Sequence, residues 1–276
     1  MIRTNLFNES EAKKITERLG NFSVIEWVKD ISNSYTGAFY AYYAAQMGVH
    51  KKQVAIDLNG SGAILQAGAM QMILGDIKVS TDVKGVGDLA KKLIGGKVTG
   101  ESAIKPKYTG KGQVILEPTY KYIILEDMSQ WSSGMVIEDG LFLACSDTVG
   151  ISVVSRKNFS SALLGNEGLF NACLTGTGIV ALESNVPKDE LIIVDLENDT
   201  IKIDGSMAIA WSNTLEFTVE RTTKTLIGSA ASGEGLVNVY RGTGRILIAP
   251  VQYNPRIASA SNPSSQTGSS GVNITK

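Results

Sequence analysis

The stretch EGLFNACLTGTGIVALE, Glu167 to Glu183, decides how this chain is read, because its paired glycines Gly176 and Gly178 open either a nucleotide loop or a turn between strands. A dinucleotide loop needs G-x-G-x-x-G leading into a helix, whose N-terminus receives the pyrophosphate. Here Gly178 leads into IVALE, a short run of β-branched residues and leucine with the character of a buried strand. The glycines are therefore expected to form a positive-φ turn that reverses one strand into the next.

The stretch recurs along the chain. GESAIKPKYTGKGQVILEP starts at Gly100, NEGLFNACLTGTGIVALES at Asn166 and GEGLVNVYRGTGRILIAP at Gly233. Each holds a glutamate, an apolar stretch, a G-x-G pair and a second apolar run. The pairs are Gly110 with Gly112, Gly176 with Gly178, and Gly242 with Gly244, at a constant spacing of 66 residues. The glutamates Glu101, Glu167 and Glu234 keep nearly the same interval. Because one acid–base site has no use for three equivalent carboxylates, these residues are expected to accept backbone N–H groups in turns.

Other segments extend the pattern. LEFTVE alternates, with Leu215, Phe217 and Val219 on one face. Asp139-Gly140 and Asp204-Gly205 lie between apolar runs and predict two hairpin turns, and AIDLNGSGAILQAGAMQMIL from Ala55 predicts the matching hairpin of the first repeat. A short helix is expected over Asp88 to Ile94. Near the N-terminus, Asn8 with Glu11 resembles a capping box, and Ala12, Ile15 and Leu19 make a helical stripe ended by Gly20. The resulting organisation is a helical extension over 1–34, repeats over 35–118, 119–184 and 185–253, and a Ser/Asn/Gly-rich tail over 254–276 that is expected to be disordered.

Composition narrows the function. The 26 basic and 27 acidic residues give no large positive field, so nucleic acid is not an expected partner. No apolar span is long enough to cross a bilayer as a helix, and the expected compartment is the cytoplasm. Two cysteines, Cys145 and Cys173, support neither a disulfide framework nor a four-ligand zinc site, and both sit in apolar strand contexts that suit core positions. His50 is the one histidine, which removes histidine triads; no catalytic, metal or cofactor site is expected, and the chain is read as a non-enzyme.

GEGLVNVYRGTGRILIAP, NEGLFNACLTGTGIVALES, IKIDGSMAIAW and QVAIDLNGSGAILQAGAM together resemble the family named after altered inheritance of mitochondria protein 24, in order from about Phe39 to Val251. The resemblance implies an all-β chain of three β-sandwich or double-stranded-β-helix-like repeats around a pseudo-threefold axis, similar in fold to the tryptophan RNA-binding attenuation protein. It also implies no established enzymatic activity, with mitochondrial eukaryotic relatives and cytoplasmic bacterial ones.

Two stretches are candidates for interaction. KPKYTGKG places Lys105, Lys107 and Lys111 around Tyr108, a mixture of basic and aromatic residues that suits single-stranded nucleic acid or a plain solvated hairpin. YTGAFYAYYAAQMG packs Tyr35, Phe39, Tyr40, Tyr42 and Tyr43 into nine residues. This run is expected to form the first strand and to enter the core; any rings left outside would make a sticky edge for a protein partner. The leading expectation is a scaffold acting through protein interaction or self-assembly, and the alternative is a small-molecule- or RNA-binding regulator using the threefold-related loops.

Overall fold

β-Branched and aromatic residues in short runs, punctuated by glycine, drive this chain into strands. The computed structural model describes residues 2–81, 105–131, 133–155, 170–205, 207–221 and 236–251. Within them the strands are β1 (Lys14–Leu19), β2 (Phe22–Trp27), β3 (Lys51–Asp57), β4 (Gly62–Leu65), β5 (Met70–Ser80), β6 (Lys107–Leu116), β7 (Tyr122–Asp127) and β8 (Met135–Ile137). There follow β9 (Phe142–Ser146), β10 (Val149–Ser155), β11 (Phe170–Gly176), β12 (Ile179–Ser184), β13 (Ile192–Asp204), β14 (Ala208–Ser212), β15 (Glu216–Arg221) and β16 (Leu236–Ile248). One α-helix, α1 (Tyr35–Gln46), lies between β2 and β3.

The strands form two curled sheets. The first has nine strands in the order β1-β2-β3-β6-β4-β9-β12-β7, with β5 on β6; the second has seven in the order β10-β11-β8-β14-β16-β13, with β15 on β16. One apolar cluster, including Phe22, Val54, Ile56, Leu116 and Ala181, fills the first sheet. Another, including Ile124, Cys145, Val180, Met135, Leu174 and Leu247, draws on strands of both sheets and packs them together. A third, around Trp211, Tyr240 and Ile246, fills the second sheet. In β12, Ile179 and Ala181 enter the first cluster while Val180 and Leu182 enter the second. Burial on both faces is why IVAL shows no polar alternation.

The G-x-G glycines do not reverse the chain. Gly110 and Gly112 lie inside β6, and Gly242 and Gly244 inside β16. Along β16 the partner changes at this point: residues up to Arg241 pair with β15, and residues from Ile246 pair with β14, while β13 runs beside both parts. Gly176 and Gly178 carry the chain from β11 in the second sheet to β12 in the first. A glycine here bends a strand that goes on, because positive φ opens the ladder without a side chain to clash. Gly110, Gly112, Gly176, Gly178 and Gly242 have positive φ; Gly244 does not. At Gly244 the requirement is space, since a Cβ there would lie 2.7 Å from Ser212 Cβ.

The Asp-Gly turns are likewise corrected. Asp139-Gly140 links β8 in the second sheet to β9 in the first, so its flanking strands do not pair. β13 and β14, on either side of Asp204-Gly205, both pair with β16 rather than with each other. β3 and β4 also have other partners. A turn signal fixes where the chain bends and leaves the pairing to long-range packing.

The 66-residue interval is visible in side-chain bonds. The Ile179 N–H donates to Ser146 Oγ at 3.0 Å, and the Arg245 N–H donates to Ser212 Oγ at 2.9 Å. The Thr148 hydroxyl donates to the Thr177 carbonyl, and that of Thr214 donates to the Thr243 carbonyl. A looser counterpart is set one or two residues further apart: the amides of Asn171 and Asn238 donate to the carbonyls of Ile137 and Gly205, each at 2.8 Å.

The N-terminus carries no helix where one is expected. Residues Lys14–Leu19 form β1, joined by a Gly20-Asn21 turn to β2. Ile15, Glu17 and Leu19 are half-buried and alternate with exposed neighbours, so the period of two prevails over the stripe Ala12, Ile15, Leu19. The opposite correction applies to the Tyr35 run: it forms α1, not a strand, and it contributes nothing to the core. The expected helix over Asp88 to Ile94, the glutamates Glu101, Glu167 and Glu234, and the tail from Asn254 lie outside the described residues.

Candidate functional site

α1 is started by Ser34, whose hydroxyl accepts the Gly37 N–H at 3.1 Å, and it stops at Met47-Gly48, where the Gly48 N–H donates to the Ala45 carbonyl at 3.0 Å. Alanines fill much of its length and favour the helix. None of its 12 residues is buried, and none is charged. Gly37, Ala41, Ala44 and Ala45 are half-covered and lie at helical spacing on one side. The rings occupy the rest: Tyr35 is 97% exposed, Phe39 61%, Tyr40 55%, Tyr42 61% and Tyr43 56%. Phe39, Tyr40, Tyr42 and Tyr43 interlock edge to face, with centroids 4.8 Å apart for Phe39 and Tyr43 and 5.4 Å for Tyr42 and Tyr43. Ile31 before the helix and Met47 after it are also exposed.

A polar clasp closes the base of this excursion. On the incoming side stand Glu26 and Asp30; on the outgoing side stand His50, Lys51 and Lys52. Lys51 Nζ lies 2.7 Å from Asp30 Oδ2, His50 Nδ1 lies 2.8 Å from Glu26 Oε1 without hydrogen-bond alignment, and Lys52 Nζ lies 3.7 Å from Glu26 Oε2. Tyr120, from the link between β6 and β7, donates its hydroxyl to Asp30. Burial would raise the Asp30 carboxyl, but hydrogen bonds from Lys51, Tyr120 and Asn33 outweigh it and hold the group below the usual carboxylate range. The bond to Asp30 pushes Lys51 up, whereas burial pulls Lys52 down despite Glu26. Lys52 Nζ also sits 4.6 Å from the centroid of the Tyr122 ring.

The structure separates the lysines of KPKYTGKG. Lys105 donates to Gln66 Oε1 at 2.9 Å and stands 4.3 Å from the Phe142 ring centroid; Lys107 pairs with Asp147 at 2.9 Å; Lys111 is exposed beside Gly112. Tyr108 is 5% exposed and belongs to the core, so the lysines have no neighbouring ring from this stretch on which a base would stack. Phe39 and Tyr40, by contrast, are brought together with three further rings. Apart from His50, the clasp residues belong to no sequence motif, although acids before the aromatic run and bases after it, Glu26, Asp30, Lys51 and Lys52, are a readable signal. Cys145 and Cys173 are both buried; burial pushes the Cys145 thiol up to about 12 and raises Cys173, with a bond from Ser152 opposing.

Two curled sheets with strands bent at G-x-G, and one uncovered aromatic helix, define an all-β protein with a single protruding apolar element among the described residues. The chain belongs to the family described as mitochondrial biogenesis AIM24, whose model matches residues 45–251. It is 29% identical over 203 residues to an uncharacterized protein of Streptococcus pyogenes serotype M6, covering 71% of this chain and 79% of that one. A crystal structure of a Streptococcus pyogenes protein is similar in fold, with a TM-score of 0.55 and 24% identity, over 77% of this chain and 92% of that chain. The family match begins at Ala45, so β1, β2 and nearly all of α1 precede it. No helix among the described residues is long and apolar enough to cross a membrane.

Proposed function

We propose that this protein is a non-enzymatic β-scaffold that self-associates through α1, two copies covering each other's aromatic face. The observation that carries this reading is a 12-residue helix with no buried residue and five exposed rings. A helix this short is marginal in water without tertiary support, which supports a covering partner. Rings that bury ~150–250 Å² each, exposed by half or more, present roughly 500–800 Å² per copy, close to the ~800 Å² per partner of a stable interface. The helix carries no charge, so two copies meet without like-charge repulsion. A closed twofold pairing uses the same patch on both copies.

The 66-residue repetition of side-chain bonds relates the second repeat to the third; the pseudo-threefold arrangement extends that relation to the first repeat through the matching G-x-G pair Gly110 and Gly112, with α1 as an attachment to that body. The proposed compartment is the cytoplasm; cell fractionation decides between it and the organelle in the family's description.

Sedimentation of the purified chain tests the proposal. A dimer that persists from low to high salt is expected, because apolar contact is not screened. Phe39→Ser and Tyr40→Ser should each give a folded monomer, verified by an unchanged circular dichroism spectrum. A monomeric parent protein, or a dimer indifferent to both substitutions, would refute it.

A further inference from the structure

A second surface lies away from α1, on the outer face of the first sheet. There Arg18 of β1 pairs with Ser23 of β2, Ser23 pairs with Ala55 of β3, and Asp57 of β3 pairs with Gln113 of β6, so four adjacent strands offer these residues in two short rows. They line a groove of about 510 Å³ together with Phe7, a size within the ~300–1,000 Å³ of small-molecule sites. Ala55, the smallest side chain among them, makes room at the centre and is itself buried against Ile25 and Ile115.

The rim of the groove is fixed by its own bonds. The Asn21 amide donates to the Asp57 carbonyl at 2.7 Å and to Ser61 Oγ at 3.1 Å, and the Asp57 N–H donates to the Asn21 carbonyl at 2.9 Å. The Asn59 N–H donates to Asp57 Oδ1 at 3.0 Å. The groups inside the groove, however, are uncommitted. The Arg18 guanidinium, the Ser23 hydroxyl, the Gln113 amide, the Asn59 side chain and the second Asp57 oxygen have no hydrogen-bond or ion-pair partner among the described residues. The rim is held by its own bonds, and the polar groups it surrounds, the exposed Arg18 and Asn59 among them, are free to turn toward a ligand.

From this geometry we infer a binding site for a neutral polyhydroxylated small molecule, a saccharide unit. The guanidinium only donates, the carboxylate only accepts, and the amides and hydroxyl do both. A ligand that satisfies them all must itself carry many groups that donate and accept. Arg18 and Asp57 oppose each other in charge, so an anion meets the carboxylate and a cation meets the guanidinium; a neutral polyol meets neither penalty. Phe7 supplies an apolar wall for the C–H face of a sugar ring.

Saturation-transfer NMR and calorimetry on the full chain test the site, with glucose, mannose, galactose, N-acetylglucosamine and cellobiose as probes and inorganic phosphate and spermidine as charged controls. At least one saccharide should bind, and Arg18→Ala and Gln113→Ala should each weaken it about tenfold, the cost of one hydrogen bond involving a charged or desolvated group. Neither residue has a side-chain partner, so both variants should keep the parent's melting temperature, which is measured alongside. No binding by any saccharide, binding indifferent to both substitutions, or binding of phosphate or spermidine in place of the sugars overturns the inference.

Discussion

Lys51 Nζ stands 2.7 Å from Asp30 Oδ2, and this ion pair joins the chain entering α1 to the chain leaving it. Without it the segment between β2 and β3 is a long excursion with no buried residue in its helix. Asp30 is the better covered partner, with 11% of its side chain exposed against 31% for Lys51. Its hydroxyl partner Tyr120 adds a third anchor from a different part of the chain.

Asp30→Ala should therefore loosen α1 without unfolding the sheets. Amide hydrogen exchange over residues 34–50 should accelerate, while β12 and β16 keep their protection. The global cost should be about 1–3 kcal/mol, since Asp30 is well covered and its loss also leaves the Tyr120 hydroxyl without its acceptor. Unchanged exchange in α1 would show that the clasp does not hold the helix.

The clasp also has a defined pH window. Asp30 titrates below its ordinary value in the folded chain, so its contribution is complete above about pH 4 and fades as pH falls through the lowered value. Lys51 is raised, so its contribution is complete below about pH 10 and fades as pH climbs through the raised value. Protection of α1, corrected for intrinsic exchange, should thus be flat between about pH 5 and 9 and fall in acid. A transition near neutrality would refute the assignment of control to this pair.

Buried strands were legible where the sequence is apolar on both faces, as in Ile179 to Leu182, because no other element of that length buries every side chain. The first strand was not, because Ala12, Ile15 and Leu19 satisfy a helical period by accident, and only the hairpin with β2 selects the period of two. The Tyr35 run misled in the other direction. Its rings favour strands, yet Ser34 caps it and its alanines favour a helix, and with nothing buried there is no apolar periodicity to reveal it. The partners of a bent strand were hidden for a plainer reason: β13, β14 and β15 meet β16 only after the chain has crossed the domain. The groove was equally hidden, since Arg18, Asp57 and Gln113 come together solely through sheet order.

Both thiols should be silent in the native state. Burial raises each, Cys145 to about 12, and both residues are buried, which keeps a reagent from them. Iodoacetamide at about pH 8, where a free cysteine near 8.5 already reacts, should modify neither in the folded chain and both in urea. Mass spectrometry reads the result directly. Rapid labelling of Cys145 in the native protein would mean that the packing between the two sheets opens.

The glycines at the bends make the most discriminating stability test. Gly178 carries φ +132 and a Cβ there would lie 2.7 Å from Ser146 Cβ, so alanine meets both backbone strain and a clash. Gly244 faces Ser212 Cβ at the same 2.7 Å, but its φ is outside the positive range, so alanine meets the clash alone. Gly178→Ala should cost more than Gly244→Ala, each on the order of 1–3 kcal/mol in urea unfolding. The two sites should also differ in rescue. Combining Gly244→Ala with Ser212→Gly should cost less than the sum of the single changes, because the double variant removes the colliding atom. Ser146→Gly should relieve Gly178→Ala less, since the backbone strain stays. Strict additivity at the Ser212 pair, or equal costs at the two glycines, would show that close approach and positive φ are not what these positions require.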